Sequence, residues 1–197
     1  MGLFDILRGQ RTPKRADLDH LFALTTAALT LETSLELRSS GTAGLCFKAL
    51  EAGVFTDLVN DIDELLRISG SESGTRVGRH TDDYGLSWVL LSDPDFDDLV
   101  STTHVVSQTM EERGFSQQLL CAVFGFTGPQ GPLDLIYNYK RGTFYPFASA
   151  EGRNRDNARE LRLKAGLERE LPFEPELERW YAVWDAPVHP GGDGHPG

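Results

Sequence analysis

The chain is predicted to be an α+β domain, an antiparallel sheet with helices packed on it, and three observations predict this. First, residues 119–147 read as consecutive strands. The apolar run Leu119-Leu-Cys-Ala-Val-Phe-Gly-Phe126 is followed by the turn cluster Thr127-Gly-Pro-Gln-Gly-Pro132 and the alternating Leu133-Asp-Leu-Ile-Tyr-Asn-Tyr139. Lys140-Arg-Gly142 breaks the pattern before Thr143-Phe-Tyr-Pro-Phe147 closes it. Second, apolar residues recur at helical spacing before and between other strand-like runs. Third, strands come in twos and threes between helices, which favours antiparallel pairing over βαβ crossovers. A run as apolar as 119–126 is stable only under cover, so helices should pack on this sheet.

The elements follow in order. Residues 1–16 form a basic amphipathic leader, in which Leu3, Phe4, Ile6 and Leu7 stand beside Arg8, Arg11, Lys14 and Arg15 against the single acid Asp5. Leu3, Phe4, Leu7 and Arg8 are candidates for contact with an anionic membrane or a partner; a leader tucked onto the domain is the other reading. The domain is expected to span residues 17–184. Asp17 is an N-cap candidate, and Leu18, Leu21, Phe22, Thr25, Ala28 and Leu29 mark an amphipathic helix. Residues 35–38 then read as a strand, 39–42 as a turn and 44–50 as a second strand.

From there the chain repeats a pattern. Residues 44–59 match residues 85–100 without a gap at Gly44/Gly85, Leu45/Leu86, Leu50/Leu91, Phe55/Phe96, Asp57/Asp98, Leu58/Leu99 and Val59/Val100, with Phe47 opposite Trp88. This suggests an internal ββα duplication over about residues 35–69 and 75–113. Each half continues as a helix, through Phe55, Leu58, Val59, Ile62, Leu65 and Leu66 and through Phe96, Leu99, Val100, Thr103, Ser107 and Met110. Residues 75–80 are the strand before the second copy, and Gly114 its helix C-cap. A further helix runs from about 158 to 169, and an arm with Leu177, Trp180, Tyr181, Val183 and Trp184 follows. Residues 185–197, rich in Pro and Gly, are expected to be a disordered tail.

Composition narrows the function. A net charge of −11 argues against nucleic-acid binding. Cys46 and Cys121, the only cysteines, lie in strand-like runs without metal-ligand spacing and are expected to be buried, reduced thiols. No apolar run approaches the ~18 residues of a membrane span, and the N-terminus does not read as a secretory signal, so a cytoplasmic address is expected.

No catalytic, metal or cofactor motif stands out. The acids of Asp93-Pro-Asp-Phe-Asp-Asp98 suit helix capping better than a calcium loop. His80, Asp82 and Asp83 fall in a hairpin turn with no nucleophile motif beside them. Gly125, Gly128 and Gly131 precede a strand, unlike a phosphate loop. What remains is charge segregation: residues 138–169 hold eight cations and four acids, whereas residues 51–112 hold fourteen acids and three cations. Lys140, Arg141, Phe144, Tyr145, Arg153 and Arg155 are therefore candidates for binding a partner, since aromatic groups and arginine carry interface energy and charge steers association. An aromatic core strand with solvated basic ends would leave the same pattern.

Asn138-Tyr-Lys-Arg-Gly-Thr-Phe-Tyr-Pro-Phe147, Arg155-Asp-Asn157, the 179–184 segment, Met1-Gly-Leu3, Leu21-Phe-Ala-Leu24 and Gln118-Leu-Leu-Cys121 together resemble the PspAB family, small proteins associated with phage-shock protein A. The resemblance implies a partner that is PspA-like or another envelope-stress component, while the basic leader is what suggests peripheral contact with an anionic membrane at its inner face. It implies no catalytic residue. The fold pattern is similar, more loosely, to YbjN-like and type III secretion chaperone-like domains, which bind proteins. The expectation is thus a non-enzymatic adaptor or chaperone-like module. The alternative is an anion sensor or enzyme using Arg141, Arg153 and Arg155.

Overall fold

The apolar run at 119–126 lies inside a six-stranded sheet, with paired strands on both of its sides. The computed structural model describes residues 19–68, 74–151 and 153–189; the leader, with Leu3, Phe4, Leu7 and Arg8, falls outside the described residues. The strands are β1 (Arg38–Phe47), β2 (Arg76–Thr81), β3 (Ser87–Ser92), β4 (Leu119–Gly128), β5 (Gly131–Asn138) and β6 (Thr143–Phe147). Their order is β2-β3-β1-β4-β5-β6, and every neighbouring pair is antiparallel. A small ribbon of β7 (Ser149–Ala150) and β8 (Asn154–Arg155) follows. The helices are α1 (Ala23–Ser34), α2 (Ala52–Ile68), α3 (Phe96–Glu112) and α4 (Asn157–Leu167).

The four helices share one face of the sheet. Leu24 and Leu31 of α1, Leu58 and Ile62 of α2, Leu99 and Met110 of α3, and Leu163 and Leu167 of α4 join Leu45, Phe47, Phe124, Leu135 and Tyr137 in one core. The acidic run caps α3 as predicted: Asp95 accepts from the amides of Asp97 and Asp98 at 2.9 and 3.2 Å, with both acids in the first turn. α4 is capped by Asp156, which accepts from the Arg159 amide at 3.0 Å. The buried Arg159 guanidinium donates to the carbonyls of Gln130, Gly131 and Pro132 at 3.0, 2.6 and 2.8 Å, tying α4 to the β4–β5 turn.

Local details differ from the sequence expectation. Residues 39–42 are not a turn between two strands but a bulge in the single strand β1, where the register moves from Ser39↔Phe126 to Ala43↔Phe124. Gly41 takes φ +75 there, and its carbonyl accepts from the Asp93 amide at 2.9 Å. The Ser-Gly-Thr composition serves this kink because β1 has a partner strand on each side. Residues 38–68 therefore supply one strand before their helix, not two. In addition, Phe47 faces the helices while Trp88 faces away from them, so the ungapped repeat aligns side chains of opposite faces. The first helix is also rotated. It opens as a 3-10 turn over Asp19–Phe22 and buries Leu21, Leu24, Ala27 and Leu31, leaving Phe22 and Leu29 exposed. Three residues per turn at the start shift the phase.

The second face carries Trp88, Leu90, Val123, Ile136, Tyr145 and Phe147, covered by Trp180, Ala186 and Val188 of the C-terminal arm. Ala186, Pro187 and Val188 are buried, so residues 186–189, expected in the disordered tail that starts at 185, are instead packed on the sheet. Two contacts hold them there: the Thr42 hydroxyl donates to the Val188 carbonyl, and His189 meets Asp134.

A groove under the C-terminal strap

Alternation along each strand decides which side chains reach the second face. It directs Cys46 of β1, Trp88 of β3, Cys121 of β4, Asp134 of β5 and Tyr145 of β6 there. The register places the β2–β3 turn and the β5–β6 turn at the same end of the sheet. Across that end, between the strands and the strap 181–189, runs an open groove of about 1310 Å³. Its lining includes Cys46, Cys121, Trp88 and Tyr145 from the strands, Tyr181, Val183, Trp184 and His189 from the strap, Asp82, Asp83 and Tyr84 from one turn, and Lys140 and Arg141 from the other, with Arg153 nearby.

Asp82 organises the acidic lip. One of its oxygens accepts from the amides of Tyr84 and Leu86 at 3.0 and 2.9 Å, and the other from the Trp88 indole at 2.9 Å. The strap is clasped at its far end by His189 Nε2, 2.7 Å from Asp134 Oδ1. Burial pushes the Asp134 carboxyl up despite the opposing hydrogen bond from His189, and that bond in turn raises the imidazole.

The residues singled out from sequence separate into two groups. Phe144 is fully buried on the helix face, tilted against Tyr137 with ring centroids 4.7 Å apart, and Tyr145 stacks under Trp180. Arg141 makes a bidentate pair with the buried Glu174, to which Thr143 also donates. Arg155 pairs with the buried Glu160 at 2.9 Å, donates to the carbonyls of Trp180 and Pro146, and lies over the Phe147 ring. These four hold the arm and the ribbon to the sheet. Arg153 is exposed, bonded to Asp185 at 2.8 Å and 5.7 Å above the Trp184 ring. Lys140 is exposed and has no ion-pair partner among the described residues.

Three features went unread in sequence. Asp134 breaks the apolar run Leu133-Asp-Leu-Ile-Tyr137, and its alternation with Leu133 and Leu135 assigns it to the second face. The clasp to His189 and the juxtaposition of Cys46 with Cys121 depend on long-range register, for which no local signal exists.

A family model described as PspAB, PspA associated protein B, matches residues 1–188. No curated protein and no solved structure matches the chain. The looser likeness to YbjN-like and type III secretion chaperone-like domains therefore rests on the sequence pattern alone.

Proposed function

The chain belongs to the PspA associated protein B family, and from that premise we propose that it is a non-enzymatic adaptor, binding a PspA-like protein in a phage-shock-type envelope-stress response. The observation that supports this reading most is the groove. It is open and broad, mixes aromatic and apolar walls with an acidic lip at Asp82 and Asp83 and a cationic lip at Lys140 and Arg153, and so offers a surface for a segment of another protein. Its cationic lip stands on a chain of net charge −11, which orients an approaching acidic partner toward that lip. Work in the cytoplasm fits the reading, with contact at the inner membrane face made through the partner or through Leu3, Phe4, Leu7 and Arg8. Among the described residues no helix is long and apolar enough to cross a membrane.

An anion sensor or enzyme built on Arg141, Arg153 and Arg155 has less support, because two of the three guanidinium groups, those of Arg141 and Arg155, are already tied to buried carboxylates, Glu174 and Glu160. The test is a photo-crosslinking amino acid placed at Tyr181, an exposed groove residue, in the native cell. Crosslinks to a PspA-like protein support the adaptor. Crosslinks to that protein from the exposed Leu29 on the helix side, with none from position 181, would move the binding surface elsewhere.

A further inference from the structure

We propose that Cys46 and Cys121 form a reversible dithiol–disulfide pair, oxidised by hydrogen peroxide that reaches it through the groove. Nothing in this inference rests on the adaptor reading. The two residues lie directly opposite each other on the antiparallel strands β1 and β4. Opposed residues have Cα atoms about 4.5–5.5 Å apart, inside the roughly 4.4–6.8 Å that a disulfide spans. The adjoining register shift, where Leu120 is the extra residue of β4, increases the local twist and re-aims the neighbouring side chains. Both cysteines face the second side of the sheet and line the groove.

The two thiols are unequal. Cys121 is partly exposed and Cys46 is buried, so an oxidant entering the groove meets Cys121 first. The neighbouring Cys121 side chain, together with burial, pushes the Cys46 thiol up, which keeps it protonated until its neighbour has reacted. In the first step Cys121 gives up its thiol proton as its sulfur attacks one peroxide oxygen, the O–O bond breaks, and the departing hydroxide takes up a proton and leaves as water. Cys121 is then a sulfenic acid. In the second step Cys46 loses its proton and attacks the Cys121 sulfur, the S–O bond breaks, and the hydroxide leaves as a second water. Two thiols give up two electrons and two protons, and the peroxide is reduced to two waters.

The experiment uses the full chain, fully reduced, then exposed to hydrogen peroxide, quenched with an alkylating agent and mapped by mass spectrometry. The expected product is a monomer lighter by two hydrogens, with the peptides of Cys46 and Cys121 joined and released again by dithiothreitol. Closing the large loop between them raises Tm by roughly 5–10 °C. In Cys46→Ser, oxidation halts at a sulfenic acid on Cys121 that dimedone captures, while in Cys121→Ser position 46 stays reduced. Disulfide-linked dimers, Cys121 overoxidised beside an intact Cys46 thiol, or both thiols surviving peroxide in the folded parent would each overturn the proposal. The parent protein decides these outcomes even if a variant fails to fold.

Discussion

Replacing Arg155 by alanine separates a residue that holds the fold from one that merely decorates it. Arg155 looked like a surface cation in the sequence, yet its side chain is only 21% exposed and its partner Glu160 is 2% exposed. Glu160 Oε1 also accepts from the Ala148 amide at 2.9 Å. Arg155→Ala leaves that carboxylate buried with a single neutral donor and removes the contacts to Pro146, Trp180 and Phe147. Breaking one side of a buried pair costs about 3 kcal/mol, at the low end because Arg155 is not wholly buried. For a chain of this length that is a Tm lower by roughly 6–12 °C. Arg153→Ala is the control: the side chains of Arg153 and Asp185 are 60% and 74% exposed, and such a pair contributes less than about 1 kcal/mol. Urea unfolding followed by tryptophan fluorescence reads both variants, since Trp180 and Trp184 lie beside the two arginines. In a Glu160→Gln background the Arg155→Ala loss should shrink to about 1 kcal/mol, because no charge is stranded. Equal, small losses for Arg153→Ala and Arg155→Ala would refute the argument.

Three further outcomes follow from other parts of the molecule. The Asp134–His189 clasp should loosen with rising pH: the bond to Asp134 raises the folded-state His189 value from 6.5, so the stability this histidine contributes, present below 6.5, is lost as pH rises through the raised value. Hydrogen exchange across residues 182–189 between about pH 6 and 9, corrected for intrinsic rates, should show falling protection that Asp134→Asn flattens; protection rising with pH contradicts this. Gly41→Ala places a Cβ at φ +75 and 3.0 Å from the Asp93 carbonyl, and should cost about 1–3 kcal/mol in urea unfolding, whereas a loss under about 0.5 would mean the bulge relaxes freely. Asp95→Ala removes the acceptor for two α3 amides and should cost about 1 kcal/mol by the same assay; no change would show the cap to be replaceable.

What could be read from sequence was whatever depends on neighbours in the chain. The strands of residues 119–147 announced themselves through apolar runs and turn clusters, and α3 through its acids and its i, i+3, i+4 pattern. β1 was misread because Ser39-Ser-Gly-Thr42 is turn chemistry locally, and only pairing with β3 and β4 makes it a bulge. The phase of α1 was lost because Leu21, Phe22, Leu24, Leu29 and Leu31 surround the helix, so periodicity could not choose a face. The groove was half legible. Lys140 and Arg153 lie on it as surface cations, but Arg141 and Arg155 are tied down by Glu174 and Glu160, and no spacing rule pairs Arg141 with an acid thirty-three residues away. The strap was hidden by the Pro- and Gly-rich composition that begins beside it, although Val188 and His189 make the contacts that hold it.

The central claim is that the groove and its cationic lip engage a PspA-like protein. Its most direct measurement is a calorimetric titration of the full chain with a purified PspA-like partner, for the parent and for Lys140→Glu combined with Arg153→Gln, at low and at high salt. The account predicts binding by the parent, a Kd raised about tenfold in the variant at low salt, and a smaller gap at high salt, where the attraction is already screened. An absence of binding by the well-folded parent, or an equal Kd for parent and variant at both salt concentrations, would contradict it.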